Sequence, residues 1–70
     1  MHMNFYDKNN TLLQVGDTIM PDKGRELRIV SIAYVADYDS ECMFGQQIED
    51  PLAFSLLTKE NLSSQWIKVE

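Results

Sequence analysis

Residues Leu13–Ile32, "LQVGDTIMPDKGRELRIVSI", decide the fold. They can be read as one amphipathic segment or as two short strands joined by a tight turn, and the punctuation favours the strands. Gly16, inside "VGD", supplies a bend where positive φ is needed. Thr18–Met20 is short and β-prone, and Pro21 stops it. "PDKG", Pro21–Gly24, has the proline and terminal glycine of a chain reversal. Arg25–Val35, "RELRIVSIAYV", is then the longest strand candidate, rich in β-branched and aromatic residues. On alternation, Leu27, Ile29, Ser31, Ala33 and Val35 share one face and Arg28, Val30, Ile32 and Tyr34 the other. The second face starts polar and turns apolar. A strand that changes its buried face along its length suits a bent strand in a small barrel.

Working outward, Asn4–Tyr6 is extended, "DKNN" at Asp7–Asn10 is a turn, and Leu12–Leu13 resume the apolar pattern. "ADYDSE", Ala36–Glu41, reads as an acidic loop or hairpin tip. Cys42–Ile48 is a further strand, with Gly45 marking a bulge or a close backbone approach. Glu49–Pro51 is a turn and Leu52–Leu57 another strand. "TKENLSS", Thr58–Ser64, makes one helical turn capped by Thr58, and Trp66–Val69 is the closing strand. Five or six short strands at this spacing predict an all-β fold, one small barrel domain over residues 4–70. Phe5, Phe44, Phe54 and Leu56 are expected in its core, with Trp66 closing it.

Seventy residues limit the chain to one modest core, and an apolar content of 44% places it among globular proteins. No apolar run approaches the roughly 20 residues that cross a bilayer, and no signal peptide is visible. Met1-His2 reads as a cloning scar before a native Met3, which leaves the natural chain without histidine. Cys42, the one cysteine, cannot form an internal disulfide, so an intracellular, cytoplasmic setting is expected. Its neighbour Glu41 disfavours a thiolate, so packing is the simpler role. A net charge of −5 argues against nonspecific contact with phosphate backbones.

The pattern "DKNNTLLQVGDTI…GRELRIVSI" resembles the opening of small SH3-like β-barrels, in which a V-G-D element precedes a strand, a glycine turn and a long I-V-x-I strand. The D-x-N-x-x-L-x-V-G-D lead-in is similar to that of short proteins carried by phages and other bacterial mobile elements. The closing "LTKENLSSQWIKVE" is similar to the helical turn and last strand of such barrels. The resemblance covers about Asp7–Ile32 and Leu57–Val69. It implies an SH3-like barrel and a phage or mobile-element origin, and it implies no activity.

Chemistry-bearing patterns are few. Asp37, Asp39 and Glu41 alternate as in a calcium loop, but Cys42 stands where glycine is required and Ile48 where the closing glutamate belongs. No metal or cofactor is expected. Ser63-Ser64 lacks a histidine partner, and the three glycines form no phosphate cradle. The expectation is therefore no catalysis, but an interaction module that binds or inhibits a host protein. Its contact surface is expected at Tyr34, Asp37, Tyr38, Asp39, Glu41, Phe44 and Gln46, where acidic and aromatic residues alternate. The alternative is nucleic-acid or nucleotide binding on the barrel face through Lys23, Arg25 and Arg28. A homo-oligomer that covers an open edge is a further expectation.

Overall fold

The structure, a computed structural model, describes residues 3–69; the Met1-His2 reading lies outside them. Seven strands form: β1 (Phe5–Tyr6), β2 (Leu12–Leu13), β3 (Thr18–Pro21), β4 (Leu27–Val35), β5 (Ser40–Gln47), β6 (Phe54–Leu57) and β7 (Trp66–Val69). One α-helix, α1 (Lys59–Gln65), lies between β6 and β7, and a 3-10 turn, Ala36–Tyr38, joins β4 to β5. The fold is small and all-β, as the strand spacing predicts. β1 and β2 pair as a ribbon, while the other five strands form one antiparallel sheet in the order β6-β5-β4-β3-β7.

The turns fall where the punctuation puts them. Gly16 adopts φ 100° and Gly24 φ 131°, and Asn10 takes φ 63° in "DKNN". The Asp17 carboxylate accepts from the Gln14 N–H at 2.8 Å, which locks the "QVGD" bend. Pro21 is the last residue of β3 and pairs with Trp66 of β7; the β3–β4 pairing has already ended at Ile19–Leu27, so no ladder bond needs its missing N–H.

The face change in β4 is carried by a bulge between Ile29 and Ser31, opposite Gly45 and Phe44 of β5. Leu27 and Ile29 are buried before it. After it, Ile32 packs against the core while Ser31 and Ala33 are exposed. One extra residue thus reverses the alternation and bends the sheet. Gly45 proves to be a close approach: a Cβ there meets Leu27 Cδ1 at 2.9 Å, Leu27 Cβ at 3.1 Å and Leu57 Cδ1 at 3.2 Å. The core comprises Phe5, Leu13, Ile19, Leu27, Ile29, Met43, Leu57 and Leu62, with Trp66 against it.

Several expectations are corrected. The barrel is not closed: β6 and β7 remain the two edges of the sheet. The outward backbone groups of β7 are instead occupied from the β1–β2 turn. Lys8 donates its N–H to the Trp66 carbonyl at 2.8 Å, and the Asp7 carboxylate accepts from the Lys68 N–H at 2.8 Å. Strand β6 begins at Phe54, not Leu52. The Asp50 carbonyl accepts from the Ala53 N–H and so holds Pro51 and Leu52 in a turn. Phe54, expected in the core, is 59% exposed, and Phe44 and Leu56 are half-buried. Ser40 and Glu41 belong to β5 and Ile48 lies just beyond it. The helix spans seven residues, not a single turn; Thr58 caps it as expected, its Oγ1 accepting from the Asn61 N–H at 3.1 Å.

Candidate functional site

The β4–β5 hairpin gathers part of the expected surface. Asp39, at φ 48°, takes the left-handed conformation that reverses the chain, and its N–H donates to the Ala36 carbonyl at 3.1 Å. Aspartate tolerates that conformation better than most residues. The Tyr34 hydroxyl donates to Asp39 Oδ1 at 2.5 Å, so the end of β4 and the far side of the turn are tied together. This hydrogen bond to a carboxylate raises the Tyr34 pKa. Tyr34 is 61% exposed and Tyr38 56%, with Asp37 and Asp39 exposed between them. Two aromatic rings and two carboxylates therefore stand in solvent on one short, hydrogen-bonded tip.

The remaining residues of that surface are divided between the two faces of the sheet. Tyr34 pairs with Glu41, so the two share a face of the sheet. The Glu41 carboxylate accepts from the Met3 N–H at 2.8 Å, which ties it to the start of the described chain. Phe44, three residues along β5 from Glu41, lies on the opposite face and is half-buried. Gln46 lies farther still from the tip, and its Nε2 donates to the Pro51 carbonyl at 2.8 Å. Hence Tyr34, Asp37, Tyr38 and Asp39 lie together at the tip, Glu41 lies opposite Tyr34 on the same face, and Phe44 and Gln46 lie on the other face. The three acidic side chains do not converge, and no group of three metal-binding side chains occurs among the described residues.

The basic residues form no stripe. Arg25 is ion-paired with Glu49 at 2.5 Å, across a shallow groove that Met20 and Ile48 also line. Arg28 is exposed on the sheet face beside Gln46, and Lys23 sits in the turn after β3. Cys42 is buried; desolvation and then the nearby Glu60 charge push its thiol pKa up, which suits packing. No described helix is long and apolar enough to cross a membrane.

Sequence reasoning missed the surface around β6. Leu52 is 90% exposed and Phe54 stands beside it, both hidden from the sequence reading by an apolar run that looks like buried strand. The signal that marks them is Asp50-Pro51, a turn opener that delays the strand. No protein-family model, curated protein or solved structure matches this chain.

Proposed function

We propose that this chain is a non-catalytic protein-interaction module, of the kind phages and mobile elements use to bind or inhibit a host protein. The contact lies at the β4–β5 tip, through Tyr34, Tyr38, Asp37 and Asp39. The observation that carries this reading is a pair of exposed tyrosines held on a hydrogen-bonded hairpin among exposed carboxylates. Tyrosine offers large amphipathic contact area with few rotatable bonds, so it loses little entropy on docking. The Tyr34–Asp39 bond orders the tip before binding, which lowers the cost of association. The carboxylates suit a basic protein surface and, with a net charge of −5, disfavour a phosphate backbone. The Arg25–Glu49 pair and the scattered Lys23 and Arg28 weigh against the nucleic-acid alternative. Shallow grooves and dispersed carboxylates likewise favour binding over catalysis.

The test is affinity capture from a host lysate with quantitative mass spectrometry, comparing the wild type with Tyr38→Ser and Asp37→Lys variants of unchanged thermal stability. The reading expects specific partners that both variants lose and that high salt weakens. An identical captured set from all three proteins overturns it.

A further inference from the structure

We infer that β6 is a pairing edge and that it takes a second copy of this chain, forming a twofold dimer with β6 antiparallel to β6 of the partner. The backbone carries the argument. In the β5–β6 pair the Gln47 N–H donates to the Ala53 carbonyl, and the register runs without interruption from Gln46–Phe54 to Met43–Leu57. Hydrogen-bonded pairs alternate with non-bonded ones in an antiparallel ladder. Ala53, Ser55 and Leu57 therefore direct their N–H and C=O groups at β5, while those of Phe54 and Leu56 point away from the sheet. None of these four groups has a partner among the described residues.

Edges of this kind are normally protected by charge, proline, a bulge or a covering segment. The β7 edge has such protection, because Asp7 and Lys8 occupy its outward groups. From Leu52 to Leu57 there is no charge and no proline, and the β5–β6 register has no bulge. An edge meant for a charged foreign strand would carry complementary charge; this one is neutral in a chain of net charge −5, which lets two acidic copies meet where repulsion is least. The geometry is also self-complementary. About a dyad at Ser55, Phe54 faces Leu56 of the second copy, and each such pair exchanges two main-chain bonds. Phe54 and Leu56 share a face, so the two aromatic–aliphatic pairs form on one side of the joined sheet. An interface this small falls below the roughly 1,200 Å² of stable complexes, so a dissociation constant on the order of 10–100 μM is expected. The hairpin tip takes no part in the contact.

Sedimentation velocity over a wide range of protein concentration tests this, with amide shifts of Phe54 and Leu56 followed by NMR over the same range. Two variants accompany the wild type. Phe54→Pro removes an outward N–H and leaves every β5–β6 bond in place. Phe54→Lys keeps the N–H and changes the net charge from −5 to −4, which by itself favours association. The expected result is a wild-type dimer with shifts centred on Phe54 and Leu56, weakened at least tenfold in both variants while their thermal stability is retained. A wild type that stays monomeric at millimolar concentration overturns the inference and leaves the edge to a foreign strand or to water. A dimer that survives in both variants also overturns it, because another surface then makes the contact.

Discussion

The two edges of the five-stranded sheet show opposite solutions to one problem. At β7 the outward N–H of Lys68 is bonded from 61 residues away in sequence, by Asp7, an aspartate that is only 3% exposed, and the Trp66 carbonyl is bonded by the next residue, Lys8. Asp7 accepts N–H donors from Asn9 at 2.9 Å, Thr11 at 2.8 Å and Lys68 at 2.8 Å, so one side chain both shapes the β1–β2 turn and holds β7. At β6 nothing comparable exists among the described residues, and the strand begins with a large exposed aromatic, Phe54. The lesson is that an open sheet edge in a small chain can be sealed by one well-placed acceptor, and that an edge without one keeps its outward backbone groups open to pairing.

The largest expected effect comes from removing that acceptor. Asp7→Ala leaves three N–H groups without their partner, at a cost of about 3 kcal/mol in chemical denaturation. It also frees β7, so the variant is expected to associate more than the wild type by light scattering; unchanged association breaks the contrast between the edges. Acid probes the same group. Burial alone would raise the Asp7 pKa, but the hydrogen bonds from Lys68, Thr11 and Asn9 outweigh it and hold the carboxyl below its ordinary 3.8. The unfolded chain therefore takes up this proton first as pH falls. The contribution of Asp7 is complete well above pH 3.8, drains away as pH drops below that value, and is gone once pH passes the folded-state pKa. Stability measured from pH 6 to pH 2 should fall in the wild type, with a smaller slope in Asp7→Ala. Equal slopes remove Asp7 as the titrating latch.

Next in size is Gly45→Ala, which drives a methyl against the Leu27 and Leu57 side chains and should cost about 2 kcal/mol. Because Leu57 ends β6, hydrogen exchange is expected to speed up in β6 more than at Lys68; the reverse order places the strain on the wrong edge. The smallest of these effects belongs to Thr58→Ala. Losing the cap on Asn61 should lower stability by about 1 kcal/mol, read by thermal melting, and leave β7 protected.

Local signals are legible in the sequence wherever one residue type answers one local demand. Gly16, Gly24 and Asn10 take the positive-φ positions, Thr58 caps a helix, and the face change in "RELRIVSIAYV" marks a bent strand, whose bend the structure resolves as a bulge between Ile29 and Ser31. The candidate site was legible only in part. Tyr34, Asp37, Tyr38 and Asp39 follow one another across a single turn, so proximity in sequence becomes proximity in space. Phe44 and Gln46 are nearly as close in sequence, but strand alternation and a rise of about 3.3 Å per residue carry them to the other face and away from the tip, while Glu41 stays opposite Tyr34 and is bonded to the Met3 N–H. Phe54 looked like core because aromatic residues usually are, and only the sheet order reveals that it occupies an edge.

By itself the sequence determined an all-β chain of short strands, its turns, its helix cap and the acidic tip, because each depends on the backbone preferences of a few adjacent residues. Only the tertiary structure decided that the barrel stays open, that Asp7 serves a strand at the far end of the chain, and that the outer edge of β6 has no covering segment among the described residues. Those outcomes depend on which backbone donors and acceptors meet across long sequence separations, and no local preference encodes that meeting.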